Sequence, residues 1–165
     1  MSAAALVILM SAGAAYAMSA SKYLVVRKVQ KALPSYHINV FEEAMKNQNY
    51  RRVLHTGPQS QLVLMSIPVG GEVGDELHMR TEQTIFFLSG TGEAILDGKK
   101  FPVIPGDVVV VPAGIRHNFR NTGREPLKIY TVYAPANHLD GRVHKTRADA
   151  DADRADQAVG GPEPL

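Results

Sequence analysis

Between Gly106 and Asn121 the chain reads Gly-Asp-Val-Val-Val-Val-Pro-Ala-Gly-Ile-Arg-His-Asn-Phe-Arg-Asn, and no other stretch restricts the fold as much. Gly106-Asp107 is turn chemistry, and the four valines after it predict a short buried strand. Pro112 has no N–H to give to a ladder, so the strand ends there. Gly114 supplies a second turn, and His117 opens the following strand. Such a strand–turn–strand unit holds a single imidazole at the head of a strand, which suits a metal ligand.

At 165 residues the chain has room for one domain with a substantial core and not for two ordinary ones. A net charge of +2, with the basic residues dispersed, argues against a nucleic-acid footprint. Cysteine is absent, which excludes disulfides and thiolate metal sites. Any bound metal would be held by imidazole, carboxylate or carbonyl oxygen, the donors of harder divalent ions.

Residues 1–21 are uncharged and mostly apolar. They read as a secretory leader, as a membrane anchor with the basic flank Lys22, Arg27, Lys28 and Lys31, or as an extension ahead of a start at Met18. Residues 22–39 are a linker, with a helical turn expected near Phe41 to Lys46, where Glu42 and Glu43 come early. Strands are expected at Arg51 to Leu54, Gln61 to Pro68 and Leu127 to Tyr133. Turn punctuation recurs between them at Gly70-Gly71, Ser89-Gly90, Asp97-Gly98, Pro105-Gly106 and Asn121 to Gly123. That cadence predicts an all-β antiparallel barrel or sandwich, with Asp97-Gly98 its strongest hairpin signal. The alternating Ala/Asp tail, residues 146–165, cannot bury enough apolar area to order itself and is expected to be disordered.

Gly106, Pro112, Gly114, His117 and Asn121 fill every position of G-x5-P-x-G-x2-H-x3-N, and the chain thereby resembles the cupin superfamily through its second motif. The first motif, G-x5-H-x-H-x4-E-x6-G, aligns with Gly70 and Gly90 at its ends. Its two His positions fall on Glu76 and His78, and its Glu position falls on Gln83, so two of the usual ligand types are replaced. The resemblance covers residues 40–145. It implies a double-stranded β-helix, or jelly-roll barrel, like the small single-domain cupins described as mannose-6-phosphate-isomerase-like. The implied ligand set is Glu76, His78, Gln83 and His117, around one divalent ion per chain (Fe, Mn, Ni or Zn). The other reading of those residues is a metal-free, hydrogen-bonded polar core.

Strand geometry supports a common site without the resemblance, because residues two apart share a face and Glu76 and His78 would both enter the barrel. Gln83 is expected inward with Ile85 and Phe87; the competing phase puts Glu82 inside. Phe86, Phe87 and Phe119 are read as barrel packing. Tyr130 and Tyr133 lie on opposite faces of the last strand, and the sequence does not choose between them. Arg80 and Arg116 flank the ligand positions, with Arg116 expected at a solvated rim, and His138 and His144 are expected to be exposed.

The function these features imply is a metal-dependent enzyme acting on a small oxygen-rich molecule by isomerase-like or epimerase-like proton transfer, with Glu76 either ligand or general base. A non-catalytic binding module and an Fe(II) dioxygenase are the alternatives. A small-molecule substrate and a homodimer are the expected partners, with no nucleic acid and no membrane unless residues 1–21 act as an anchor. The expected location is cytoplasmic, or exported if those residues are a leader.

Overall fold

The structure is a computed structural model in which residues 35–161 are described; the readings of residues 1–21, and of the linker up to residue 34, lie outside them. Helix α1 spans Val40–Lys46. The Asn39 side chain accepts the Glu42 N–H at 3.2 Å, Glu42 and Glu43 sit in the first turn, and Lys46 sits in the last, each where the helix dipole favours its charge. Among the described residues no helix is long and apolar enough to cross a membrane.

Ten strands follow: β1 Arg51–Thr56, β2 Gln61–Ile67, β3 Glu76–Leu77, β4 Glu82–Ser89, β5 Gly92–Leu96, β6 Lys99–Val103, β7 Val108–Val111, β8 Arg116–Asn121, β9 Leu127–Ala134 and β10 Val143–His144. They form two antiparallel sheets, one ordered β10-β1-β2-β9-β4-β7 and the other β3-β8-β5-β6. The chain passes back and forth between the sheets, as in the expected double-stranded β-helix. Residues Asp97-Gly98 turn β5 into β6 with both at positive φ.

One core joins the two sheets. Strand β4 alternates, with Gln83, Ile85 and Phe87 buried and Glu82 exposed, so the first of the two phases holds. Phe87 meets Phe119 of the opposite sheet at 5.8 Å between ring centres, and Val63, Ile67, Leu127 and Ile129 complete the packing. On β9 the same alternation turns Tyr133 inward and Tyr130 outward. Phe86, expected to pack the barrel, instead stacks on Tyr130 outside it, at 4.3 Å between centres. The valine strand is also less buried than its composition predicts. β7 is an edge with only one face on the core, so Val111 is buried while Val108 and Val110 stand half exposed.

The motif positions are largely structural. Asn121 donates to the carbonyls of Ile67 (2.9 Å) and Glu125 (2.8 Å), closing the turn after β8. Gly90 has φ +83° and would place a Cβ 2.8 Å from the Pro126 oxygen, so only glycine fits there. Gly114 N–H donates to the His78 carbonyl at 2.9 Å, which ties the turn ahead of His117 to the residue that follows β3.

The expectation of a disordered tail does not hold for residues 147–160, which form α2 (Arg147–Ala152) and α3 (Arg154–Gly160). Apolar burial is indeed small, but the aspartates are paired rather than solvated. Thr146 and Asp149 form a capping box, Asp153 binds Arg142 and His144, and Asp156 is 1% exposed. The same contacts overturn the expectation that His138 and His144 are exposed, since both are buried against these helices. Residues 162–165 lie outside the described part.

Candidate metal centre

Three strands deliver the candidate ligands to one end of the barrel. β3 and β8 pair Glu76 directly with His117, β4 brings Gln83, and His78 follows β3 at the same parity as Glu76. One ligand atom from each of Glu76, His78 and His117 lies within 4.8 Å of the other two. Glu76 Oε2 is 3.3 Å from His78 Nε2 and 3.8 Å from His117 Nε2, and His117 Nε2 faces Gln83 Oε1 at 3.1 Å. The structure therefore brings together all four residues singled out in the sequence. Arg116, beside His117, points to solvent and pairs with Asp75, as its alternation on β8 demands.

The histidine rings are held from behind. His117 Nδ1 meets the Ile115 carbonyl at 2.9 Å, so it carries the proton and Nε2 presents a lone pair to Gln83 and Glu76. The Asn137 side-chain amide contacts His78 Nδ1 at 3.4 Å. Glu76 Oε2 and His78 Nε2 are buried and have no hydrogen-bond partner. One carboxylate and two imidazoles converging in a buried corner are the donor types of a divalent-metal site, so the donor set fits a divalent metal.

Arg51 on β1, which the sequence reading did not single out, lies beneath the corner and is only 6% exposed. Its guanidinium reaches Glu76 Oε1 at 3.2 Å and Asp156 at 3.8 Å. Burial works to raise the Glu76 pKa, but His78, Arg51 and His117 outweigh it and hold the carboxyl at about 2. For His117, burial dominates and lowers the pKa, so the ring is neutral at pH 7 and available as a ligand. Tyr133 packs edge-on against His78 (5.9 Å) and against His138 (5.0 Å). His138 in turn binds Asp156 at 2.8 Å, which closes a ring of contacts from Glu76 through Arg51, Asp156, His138, Tyr133 and His78. A cavity of about 660 Å³ opens between the barrel mouth and α2–α3, lined by Glu76, His78, Asn137 and His138 among others. Its size is that of a small-molecule site.

Arg51 shares the inward parity of Val53, a weak signal that the sequence does carry. Asp156 had none, because its partners lie far away in the chain. Arg80 proves to be a clasp, donating to the Val159 (3.3 Å) and Gly160 (3.1 Å) carbonyls at the end of α3.

A family model described as a cupin domain matches residues 63–133. The crystal structure of BH2720 from Bacillus halodurans superposes with a TM-score of 0.71 and is 36% identical, the match covering 74% of this chain and 98% of that one. The chain belongs to the cupin family. This cupin is also 38% identical over 119 residues to the uncharacterized protein YrkC of Bacillus subtilis. That match covers 68% of the chain and 64% of the relative, so the chain spans just under two thirds of that protein's length. It is 34% identical over 85 residues to the quercetin 2,3-dioxygenase of Bacillus subtilis, across 51% of this chain and 25% of that enzyme.

Proposed function

We propose that this cupin is a metal-dependent enzyme that moves a proton on a small, oxygen-rich substrate, with Glu76, His78 and His117 as metal ligands and Gln83 as a neutral fourth donor. The observation that carries the reading is the corner of unpartnered, buried donor atoms at Glu76 Oε2 and His78 Nε2, facing His117 Nε2. A divalent cation bound there supplies Lewis-acid polarisation of substrate hydroxyl or carbonyl oxygen. The chain does the rest. Arg51 and Asn137 fix the orientation of Glu76 and His78, and the cavity between the barrel mouth and α2–α3 gives a small substrate room beside them. Glu76 is a ligand rather than the general base in this reading, because a carboxyl held at about 2 is a poor proton acceptor near pH 7.

Elemental analysis of protein purified without chelator or tag metal tests this. The expected result is about one divalent ion per chain, lost in both Glu76→Ala and His117→Ala. A wild type that stays empty on reconstitution refutes the metal-dependent reading and leaves a non-catalytic binding module. The partial similarity to quercetin 2,3-dioxygenase favours one second reading, an Fe(II) dioxygenase. Oxygen consumption by the iron-loaded protein that stops when iron is replaced by zinc would establish it in place of proton transfer.

A further inference from the structure

We infer that Asp156, carried by α3, is a positioning residue for the candidate metal centre: through Arg51 it sets which oxygen of Glu76 faces the metal and how strongly that oxygen binds. The inference rests on the metal-site reading above. It makes the α2–α3 strap a working part of a centre whose candidate ligands all lie on or beside barrel strands. Arg51 is forked between two carboxylates. Its Nη2 donates to Glu76 Oε1 at 3.2 Å, and its Nη1 lies 3.8 Å from Asp156 Oδ2. A guanidinium is planar, so engaging one arm on each side fixes its plane. The Tyr50 ring, centred 5.5 Å from Arg51 Cζ, holds it from a third direction. With Oε1 taken, Oε2 is the oxygen left to the corner, 3.3 Å from His78 Nε2 and 3.8 Å from His117 Nε2.

Asp156 is held as firmly as the group it orients. Its Oδ1 accepts the Leu139 N–H at 2.7 Å, its Oδ2 meets His138 Nδ1 at 2.8 Å, and its side chain is 1% exposed. Burial works to raise its pKa, but His138, the Leu139 N–H and Arg51 outweigh it and bring the carboxyl below the usual aspartate value. The strap has other fastenings. Asp153 binds Arg142 and His144, Arg147 binds Glu72, and Arg80 donates to the Val159 and Gly160 carbonyls. Asp156 differs from all of these in placing a buried charge beside the guanidinium that holds a candidate ligand.

The balance of charge gives the direction of the effect. A divalent ion entering beside Glu76 meets the positive Arg51. While Asp156 is ionised it balances the guanidinium, and Glu76 is left for the ion. With Asp156 neutral, Arg51 has Glu76 alone to balance it and competes with the ion for that carboxylate. Groups that hold a ligand from behind change metal affinity by about 10–100-fold when they are altered. Linkage makes the effect reciprocal: if a closed strap strengthens metal binding, bound metal holds the strap closed by the same factor.

Two measurements on the full chain test the inference, with zinc as the probe. The first is zinc affinity by competition with a chromogenic chelator. Asp156→Asn keeps the shape of the side chain and an oxygen for the Leu139 N–H, and it is expected to weaken zinc about 10–100-fold. Arg147→Met, which releases the fastening of α2 to Glu72, is expected to leave zinc affinity unchanged. Equal losses in the two variants would assign the effect to a loosened strap and overturn the inference. The second measurement needs no variant. Hydrogen exchange at the amides of α3, Arg154–Gly160, is expected to slow in the wild type on saturation with zinc, also by about 10–100-fold. Wild-type zinc affinity in Asp156→Asn, or α3 exchange untouched by zinc, overturns the role of Asp156 and leaves the metal site standing. A wild type that takes up no zinc overturns the metal-site reading and the role of Asp156 with it, so zinc uptake by the wild type tells the two failures apart.

Discussion

Arg51 offers the sharpest test of how the site is held together. Its side chain is 7% exposed and faces two carboxylates, Glu76 at 19% and Asp156 at 1%. Replacing it with methionine keeps much of the volume and removes the charge, leaving both carboxylates in a poorly solvated corner. Losing one partner of a buried ion pair costs about 3–5 kcal/mol. The Glu76 carboxyl gives a second route to the figure. A fall from 4.5 to about 2 is worth roughly 3 kcal/mol, of which Arg51 supplies part. We therefore expect Arg51→Met to lose about 3 kcal/mol at pH 7 in chelator-treated protein, measured by urea unfolding.

The sign with pH follows from linkage. Glu76 has a depressed folded-state pKa, so its contribution is present above the unfolded value of 4.5 and is lost as pH falls toward about 2. The wild type should weaken through that window, and Arg51→Met should weaken less steeply, because part of the depression has gone. In a double-mutant cycle Glu76→Gln should recover some of the loss, since it removes the charge left unpaired. A deficit under about 1 kcal/mol at pH 7, or an acid slope equal to that of the wild type, would refute the account; water would then be solvating the corner far better than its burial implies.

Two other substitutions probe the frame that carries the site. Asn121→Ala strips the donor from the Ile67 and Glu125 carbonyls and should cost about 1–3 kcal/mol in urea unfolding; a neutral result would mean that water satisfies both. Gly90→Ala forces a Cβ against the Pro126 carbonyl at positive φ and should cost roughly 1–3 kcal/mol. An unchanged midpoint there would show that the β9 entry shifts freely.

Most of the fold was legible because it rests on local rules. Glycine, proline and Asp-Gly punctuation marked the hairpins, and alternation on β4 placed Gln83, Ile85 and Phe87 inward. The meeting of the candidate ligands was legible for a related reason: Glu76 and His78 share a parity, and the turn at Pro112 to Gly114 sets His117 at the head of β8. Phe86 and the valines of β7 were misread as core because composition does not say which strand is an edge or what covers its outer face. That is decided by pairings such as β4 with β7, between residues far apart in sequence.

The tail was misread for a different physical reason, and that reason bears on function. Low apolar content does predict disorder when charges are left to water. Here the charges are complementary to a barrel surface that is itself polar and charged. Asp153 holds Arg142 and His144, Asp156 holds His138 and Leu139, Arg147 pairs with Glu72, and Arg80 clasps the last turn of α3. Such pairings are invisible to any window of sequence, since each links the helices to strands or loops that only the folded sheet brings near. A purely structural strap would be free to use exposed pairs at the rim. This one sends Asp156 into the interior, to the guanidinium that also holds Glu76 and to the imidazole that packs on His78's ring partner Tyr133. The segment that composition marked as dispensable is thereby joined to the candidate ligands by an unbroken run of contacts, and order in the tail and geometry at the barrel mouth are expected to rise and fall together.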